Sequence, residues 1–535
     1  MNNELINMNL FKKSLIMTGI LLVFILAAGT IHAEDAAVNE TGFSDLSNQI
    51  NTIEGGDALN LDKNYKFREV DDGNYIDGVT VSKDLTIKGN NKVIDGNGKA
   101  RALYIKSDCK VSIEDVTFKN CYSESGGGAA IYLCKNSNLI LKNCVFTNNN
   151  AYNANGGVLN AHSSTNIDVH NCIFTNNKAI RQSSLEWNKF KRGMGSVFCI
   201  GVDSKLNLYD STISNNNGYL STCVIISNNE EGRMMSSLYA NNCHFENNVA
   251  NAHTAIYIDE LGKCEVVNSV FKNNRATVSS SVIDLDGSVG TFRNCLFESN
   301  SGEKGGVFYI FPNGKTQSVV SMSGCTFNKN KASVSGGAIY TNSAKLTLTN
   351  CNFNQNTAKD CGGAIFIYHG TVKITGSNFK SNTAKRAGAA GFLCDNVIMS
   401  KTNFNNNVAR ELGGAIYQKV KKHTVSKCKY VGNKASKSKD VYDKYKVTIK
   451  QTSKKYKKVK LTIKLSSSWS APLNKKIKLK FKGSKNFKTG WIKVPSNGVL
   501  KLKVPVKLKV GTYKVVVSMD DGKCVQNSPK IKVVK

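Results

Sequence analysis

The sequence predicts an all-β protein, a right-handed parallel β-helix of about twelve coils followed by a small antiparallel β-sandwich. Three observations carry this expectation. A unit recurs at a fixed period, apolar residues alternate within each unit, and the composition changes to Lys-rich alternation after Asn433.

The unit is clearest in Cys325-Thr326-Phe327-Asn328-Lys329-Asn330-Lys331-Ala332 and Cys351-Asn352-Phe353-Asn354-Gln355-Asn356-Thr357-Ala358, which give the rule C-x-F-x-x-N-x-A. Its anchor recurs at Phe118, Phe146, Phe174, Ile213, Phe245, Phe271, Phe297, Phe327, Phe353, Phe379, Phe404 and Tyr430, and most steps are near 26 residues. A fixed period of this size marks a solenoid, whose units bury their apolar faces only by stacking on neighbours. Longer steps on either side of Ile213 mark insertions, including residues 181–192. Runs such as Leu346-Thr347-Leu348 and Val372-Lys373-Ile374 have the period of strands. About three short strands per turn are expected, joined by tight bends.

Eleven of the twelve units place Asn three residues after the anchor, at Asn149, Asn177, Asn216, Asn248, Asn274, Asn300, Asn330, Asn356, Asn382, Asn407 and Asn433, and only Cys121 departs. Asn tolerates left-handed backbone and bonds at bends, and stacked copies can bond one another. A structural ladder is therefore expected here, in preference to a glycan groove. Gly pairs such as Gly336-Gly337 and Gly413-Gly414 precede Ala-Ile-Tyr strands and suit a bend closed to other residues. They are not phosphate loops, since no helix follows.

The Gly-Gly-Ala-Ile-Tyr units at 336–340 and 413–417, with Phe-x-x-Asn, resemble the repeats of chlamydial polymorphic outer-membrane proteins. The opening Leu85-Thr86-Ile87-Lys88-Gly89-Asn90-Asn91-Lys92-Val93-Ile94-Asp95-Gly96-Asn97-Gly98 is similar to the start of the β-helix in adhesin-like proteins of methanogenic archaea. The likeness covers about residues 60–435. No C-terminal transmembrane-barrel pattern follows, so the archaeal or wall-associated relatives fit better. The resemblance implies a surface protein that binds glycans or other cells.

Seven of the sixteen cysteines, Cys144, Cys172, Cys243, Cys295, Cys325, Cys351 and Cys428, lie two residues before the anchor. Ser269, Ser377 and Thr402 replace Cys there, which suits a small buried residue packed as a free thiol. No C-x-x-C pair or His cluster suggests a metal, and no cofactor is expected.

Five segments are expected. Residues 1–33 read as a signal peptide, with Lys12 and Lys13 before an apolar run at 15–28, although an uncleaved anchor is the alternative. In 34–59, Phe43, Leu46, Ile50 and Ile53 recur at helical spacing from Ser44, as a capping helix. The solenoid spans 60–435, a Lys- and Ser-rich linker 436–446, and the basic sandwich 447–535. In the last segment, Gly511-Thr512-Tyr513-Lys514-Val515 looks like the late-strand motif of bacterial Ig-like domains.

The net charge is +33, and residues 437–535 hold 28 lysines against four acidic residues, or +24 of it. Export makes nucleic acid an improbable partner, and no recognition signature for it is present. Anionic wall polymers or membrane surfaces are the expected counter-charge. The chain thus reads as a secreted or wall-associated monomer that binds glycans or surface proteins of other cells, without catalysis.

The alternatives are a structural envelope protein or a polysaccharide lyase or hydrolase. An enzyme would need clustered carboxylates on one sheet. The candidates are Asp259, Glu260, Asp284 and Asp286, on adjacent coils, with no Arg or Lys arrangement around them that reads as a base. Trp187, Phe190 and Tyr219 are candidate exposed aromatics for a ligand, or simple padding of the irregular coils.

Overall fold

The structure is a computed structural model. It describes residues 40–535 except 125, 182–192, 226–235, 279–280, 315, 443–445, 457–458, 467–468, 470–474, 485, 505–507 and 521–529. The signal-peptide segment, Trp187 and Phe190 lie outside the described residues.

Each full coil uses four short strands in turn. A five-residue strand such as Asn138–Lys142 enters a 14-stranded basal sheet. Val145–Thr147 then joins a 15-stranded phenylalanine sheet, Asn150–Tyr152 an 11-stranded alanine sheet, and Leu159–Ala161 a 14-stranded tyrosine sheet. Every pairing within these sheets runs parallel, as between Phe327 and Phe353 in neighbouring coils. The chain is a right-handed parallel β-helix.

The coil has four sheets, one more than three strands per turn would give, because the Asn bend splits what would be one strand. At Asn148, for example, φ is +57°, and the chain turns sharply before the inward-pointing Asn149. The twelve Phe-type units lie in one register from Phe118 to Tyr430. Three strands, Glu40–Thr41, Asn64–Lys66 and Val93–Asp95, precede them in the same sheet without the repeat signature.

The core follows from the alternation. Anchor phenylalanines stack in offset parallel pairs, Phe327 on Phe353 at 4.6 Å and Phe353 on Phe379 at 4.7 Å. The Asn ladder is structural. The Asn330 amide donates to Asn356 Oδ1 at 3.0 Å and to the Phe297 carbonyl at 2.9 Å, and its own Oδ1 accepts from Asn300 N–H and Nδ2. The Cys slot is interior, and Cys and Ser play the same part in it. Cys144 N–H donates to Cys172 Sγ at 3.4 Å, and Cys172 N–H to Ser211 Oγ at 3.1 Å. The described cysteines are free thiols.

The glycine pairs are closed to any side chain. Gly336 sits at φ +68°, and a Cβ on Gly337 would lie 1.9 Å from the Gly363 carbonyl oxygen of the next coil.

Both ends of the stack are covered. At the start, helix α1 (Phe43–Thr52) seats Phe43, Leu46 and Ile50 on the open core. Its N-cap is Gly42, two residues earlier than the Ser44 start expected, and Ser44 instead donates its N–H to Asp72 at 2.8 Å. Burial opposes ionisation of Asp72, but backbone N–H groups of Ser44, Arg68 and Phe43 outweigh it and hold the carboxyl below its usual range. At the far end, fully buried Trp469 stacks on Phe392 and His423, and its carbonyl accepts from the Tyr430 hydroxyl at 3.3 Å.

Residues beyond Lys446 form two antiparallel sheets. Lys446–Ser453, Lys460–Ser466 and Val499–Lys503 make one, and Lys476–Lys482 and Gly511–Met519 centre the other. Ile463 and Leu465 from the first share a core with Leu479, Phe481 and Val515 from the second.

Candidate functional site

Strands of the tyrosine sheet are only two to four residues long, so the apolar residues beside the outward position point inward and that one residue points out. Coil after coil, the outward row reads Tyr104, Tyr132, Asn160, Cys199, Val224, Tyr257, Asp284, Tyr309, Tyr340, Phe366, Gly391, Tyr417 and Tyr442. Most of its aromatic members are half-buried. Tyr104 and Tyr132 stack at 5.2 Å, Tyr340 meets Phe366 at 5.3 Å, and Tyr417 meets Tyr442 at 5.3 Å. Gly391 leaves the space into which Phe366 leans, since a Cβ there would lie 2.8 Å from its ring. Cations border the row, Arg101 5.4 Å from the Tyr132 ring centre and Arg386 5.7 Å from that of Tyr417.

The carboxylates interrupt the middle of this row. Asp284 is outward by register yet fully buried, because two side chains cover it. Ser281 Oγ donates to its Oδ1 at 2.5 Å, and His253 Nδ1 lies 2.6 Å from its Oδ2. The His253 ring stacks on Tyr257 at 4.5 Å. Asp259 and Asp286 stand two positions further along adjacent strands. The Tyr257 hydroxyl bridges them, 3.2 Å from Asp259 Oδ1 and 3.4 Å from Asp286 Oδ2. Glu260 is close enough to act on Asp286 electrostatically.

Burial is the main reason the Asp286 carboxyl is raised to about 6, with the negative charges of Asp259 and Glu260 adding to it. The same burial, with Asp259 and Asp286 beside it, pushes the Tyr257 phenol far up, so its hydroxyl stays protonated as a donor. Tyr309 next in the row is pushed up to about 12, mainly by burial. The site therefore offers aromatic faces, fixed hydroxyl donors and a pair of carboxyls in different environments.

All four acidic residues expected from the sequence gather here. His253, Tyr257 and Ser281, which build the site with them, were not expected. The signal was present in the third residue of each Ala-Ile-Tyr strand, whose outward position follows from the alternation. Tyr219 is half-buried beside Met194, Leu220 and Tyr257, with the Arg181 guanidinium 5.5 Å from its ring centre, so it packs against the same face.

Among the described residues, no group of three or more His, Cys, Asp or Glu is placed to hold a metal ion. No helix among them is long and apolar enough to cross a membrane. No curated protein and no solved structure matches the chain. Residues 281–455, which begin at Ser281 of this site and run through the later coils into the first strand of the C-terminal region, match the family model described as the right handed beta helix region.

Proposed function

We propose that this chain is an exported, adhesin-like surface protein that binds glycans along the outward face of the tyrosine sheet. The observation that carries the reading is the one-sided row of half-buried tyrosines, bordered by Arg101 and Arg386 and interrupted by carboxylates. Aromatic faces cover the apolar side of a sugar ring, while fixed polar groups take its hydroxyls. A glycan array on the full chain, repeated with Tyr340→Ala, tests it. Binding weakened by that substitution supports the reading, and binding unaffected by it overturns it.

The same reading has the basic C-terminal region hold the rod to an anionic envelope. Its sheets set lysine opposite lysine at Lys460 and Lys503, Lys480 and Lys488, Lys476 and Lys493, and Lys514 and Lys530. Like charges directly opposite one another destabilise a sheet, and an external anion relieves that repulsion.

A second reading, cleavage of a bound polysaccharide, rests on Asp259 and Asp286 sharing the Tyr257 hydroxyl. A carboxyl raised to about 6 suits a general acid, and Asp259 beside it supplies the second carboxyl that such a reaction needs. A screen for new reducing ends or unsaturated products on each glycan the chain binds, run with and without Asp286→Asn, separates the two readings. Binding without products leaves adhesion alone.

A further inference from the structure

The outer face of the second C-terminal sheet is built mainly on Lys476–Lys482 and Gly511–Met519. Ile477, Leu479, Phe481, Tyr513, Val515 and Val517 turn into the core, so alternation sends Lys476, Lys478, Lys480, Lys482 and Lys514 outward. Register then sets lysines side by side. Lys488 lies opposite Lys480 and Lys493 opposite Lys476, while Lys482, Lys514 and Lys530 form one row across three adjacent strands. None of these lysines has an acidic side-chain partner among the described residues. Asp520 takes the backbone N–H of Lys476 at 3.1 Å, at the far end of the central strand, about 20 Å from that row.

An exposed ring stands within this charge. Ile492 pairs with Ile477 and packs against the core, so Trp491 beside it turns out. Trp491 is 50% exposed, with Lys478 Nζ 5.9 Å from its ring centre, whereas Trp469 is fully buried. The strands of the first C-terminal sheet also carry lysines but hold no aromatic residue. Lysines directly opposite one another destabilise a sheet, and here no described acid offsets them. Their uncompensated field draws an anion from outside the chain.

We infer that this face is a binding site for an acidic polysaccharide, with one pyranose ring stacked on Trp491 and carboxylates spread over the lysines from Lys478 to the Lys482–Lys514–Lys530 row. This rests on the envelope-attachment reading above and gives it a face and a ligand class. From Trp491 to the row is about 14 Å along the strands, the length of a short oligosaccharide. Within the row the lysines repeat at ~4.8 Å, comparable with one sugar unit. The apolar face of a pyranose covers an indole, and flexible lysine point charges follow carboxylates at several spacings. Single-stranded nucleic acid is a poorer occupant, since stacking successive bases needs a series of aromatic rings and this face has one. A lipid surface is poorer too. Its hold grows with buried apolar area, and apart from Trp491 the strands present only Val516 there.

The test is titration of the full chain with galacturonate oligomers of one to eight units, followed by tryptophan fluorescence and calorimetry. Neutral dextran oligomers, phosphatidylglycerol vesicles, a thymidine oligonucleotide and isolated anionic walls are run beside them. The variants are Trp491→Ala, Trp491→Tyr, and Lys482→Gln, Lys514→Gln and Lys530→Gln combined, each with its melting temperature measured. The expected result is galacturonate binding that strengthens with length and changes the fluorescence. Trp491→Ala should weaken it about tenfold at every salt concentration, and Trp491→Tyr should restore most of that. The triple variant should weaken it about tenfold at low salt and flatten its salt dependence. Full binding retained by both Trp491→Ala and the triple variant overturns the site, as does equal or tighter binding of dextran, vesicles or the oligonucleotide. Attachment to walls without galacturonate binding overturns this inference alone, and binding to neither overturns the envelope-attachment reading with it.

Discussion

Asn433, the last rung of the interior ladder, donates its side-chain amide to Asp440 Oδ1 at 3.0 Å and to the Phe404 carbonyl at 2.9 Å. Ten rungs before it hand their amides to the next Asn, and here a carboxylate takes the place of the missing one. The backbone carbonyl of Asp440 in turn accepts from Ala415 and Ile416, so one residue ends both the ladder and the stack.

Interior rungs should therefore matter more than the terminator. Asn330→Ala strands the N–H and amide of Asn300 and an acceptor on Asn356, with an expected loss of about 3–5 kcal/mol. Asp440→Ala removes one acceptor at the end of the rod, with an expected loss of about 1–2 kcal/mol. Hydrogen exchange locates the effects, spread over the central coils for the first and confined to the last coils for the second. Equal, uniform loss of protection in both would refute the ladder as the interior brace.

Phe353→Asp should be far more damaging than Lys359→Asp. Phe353 is fully buried between Phe327 and Phe379, and Lys359 is exposed. Burying an unpaired carboxylate costs several kcal/mol, about 4 or more, against about 0.5 for the surface change. Thermal melting of the two variants checks the assigned register, and comparable shifts would sink it.

Asp286 gives the protein a pH-dependent weakness. Its folded carboxyl is raised to about 6, whereas the unfolded one titrates near 3.9, so the folded state holds more protons between those values. The group's favourable contribution is complete below about pH 4 and is lost as pH rises through about 6. Asp286→Asn should accordingly melt higher than the parent at pH 7.5 and gain nothing at pH 4. A variant that keeps the parent's full pH dependence shows that the raised carboxyl lies elsewhere.

Much of this was legible in the sequence because a solenoid repeats its evidence. The anchor recurs in twelve units, the Asn rung in eleven of them and Cys in the slot before the anchor in seven, and one register explains all of them. The candidate site was only half legible. Asp259, Glu260, Asp284 and Asp286 stood out as acids at similar offsets, but His253 reaches Asp284 from a bend 31 positions earlier, and no local pattern announces that. The fourth sheet was missed because its strands, such as Thr357–Ala358, are too short to show alternation. Trp469 could not be read as an end cap either, since its partners Phe392 and His423 are distant in sequence.

The thiols should be reduced and shielded. Burial raises the thiols of Cys199 and Cys394 to about 12, and an un-ionised thiol is a poor nucleophile. Of the described cysteines, only Cys134 and Cys428 are not fully buried. Titration of the purified protein should find about two fast thiols natively and most of the sixteen in denaturant. Few thiols even in denaturant would mean a disulfide framework.

The lysine surface should attach the rod to an anionic envelope in a salt-dependent way. Lys460, Lys464, Lys501 and Lys503 are exposed on one face of the first C-terminal sheet, with Lys460 directly opposite Lys503. None of these four has an acidic partner among the described residues. A single exposed charge pair contributes about 0–1 kcal/mol and is screened within about 8 Å at physiological salt, so attachment needs many lysines at once. The full chain should bind isolated anionic walls at low salt and wash off near molar salt, where the screening length is about 3 Å. Changing these four lysines to Gln should shift the release to lower salt and leave the melting temperature unchanged or raised, because repulsion within the sheet is relieved. Wall binding that ignores both salt and these substitutions would move the anchoring role to another part of the chain.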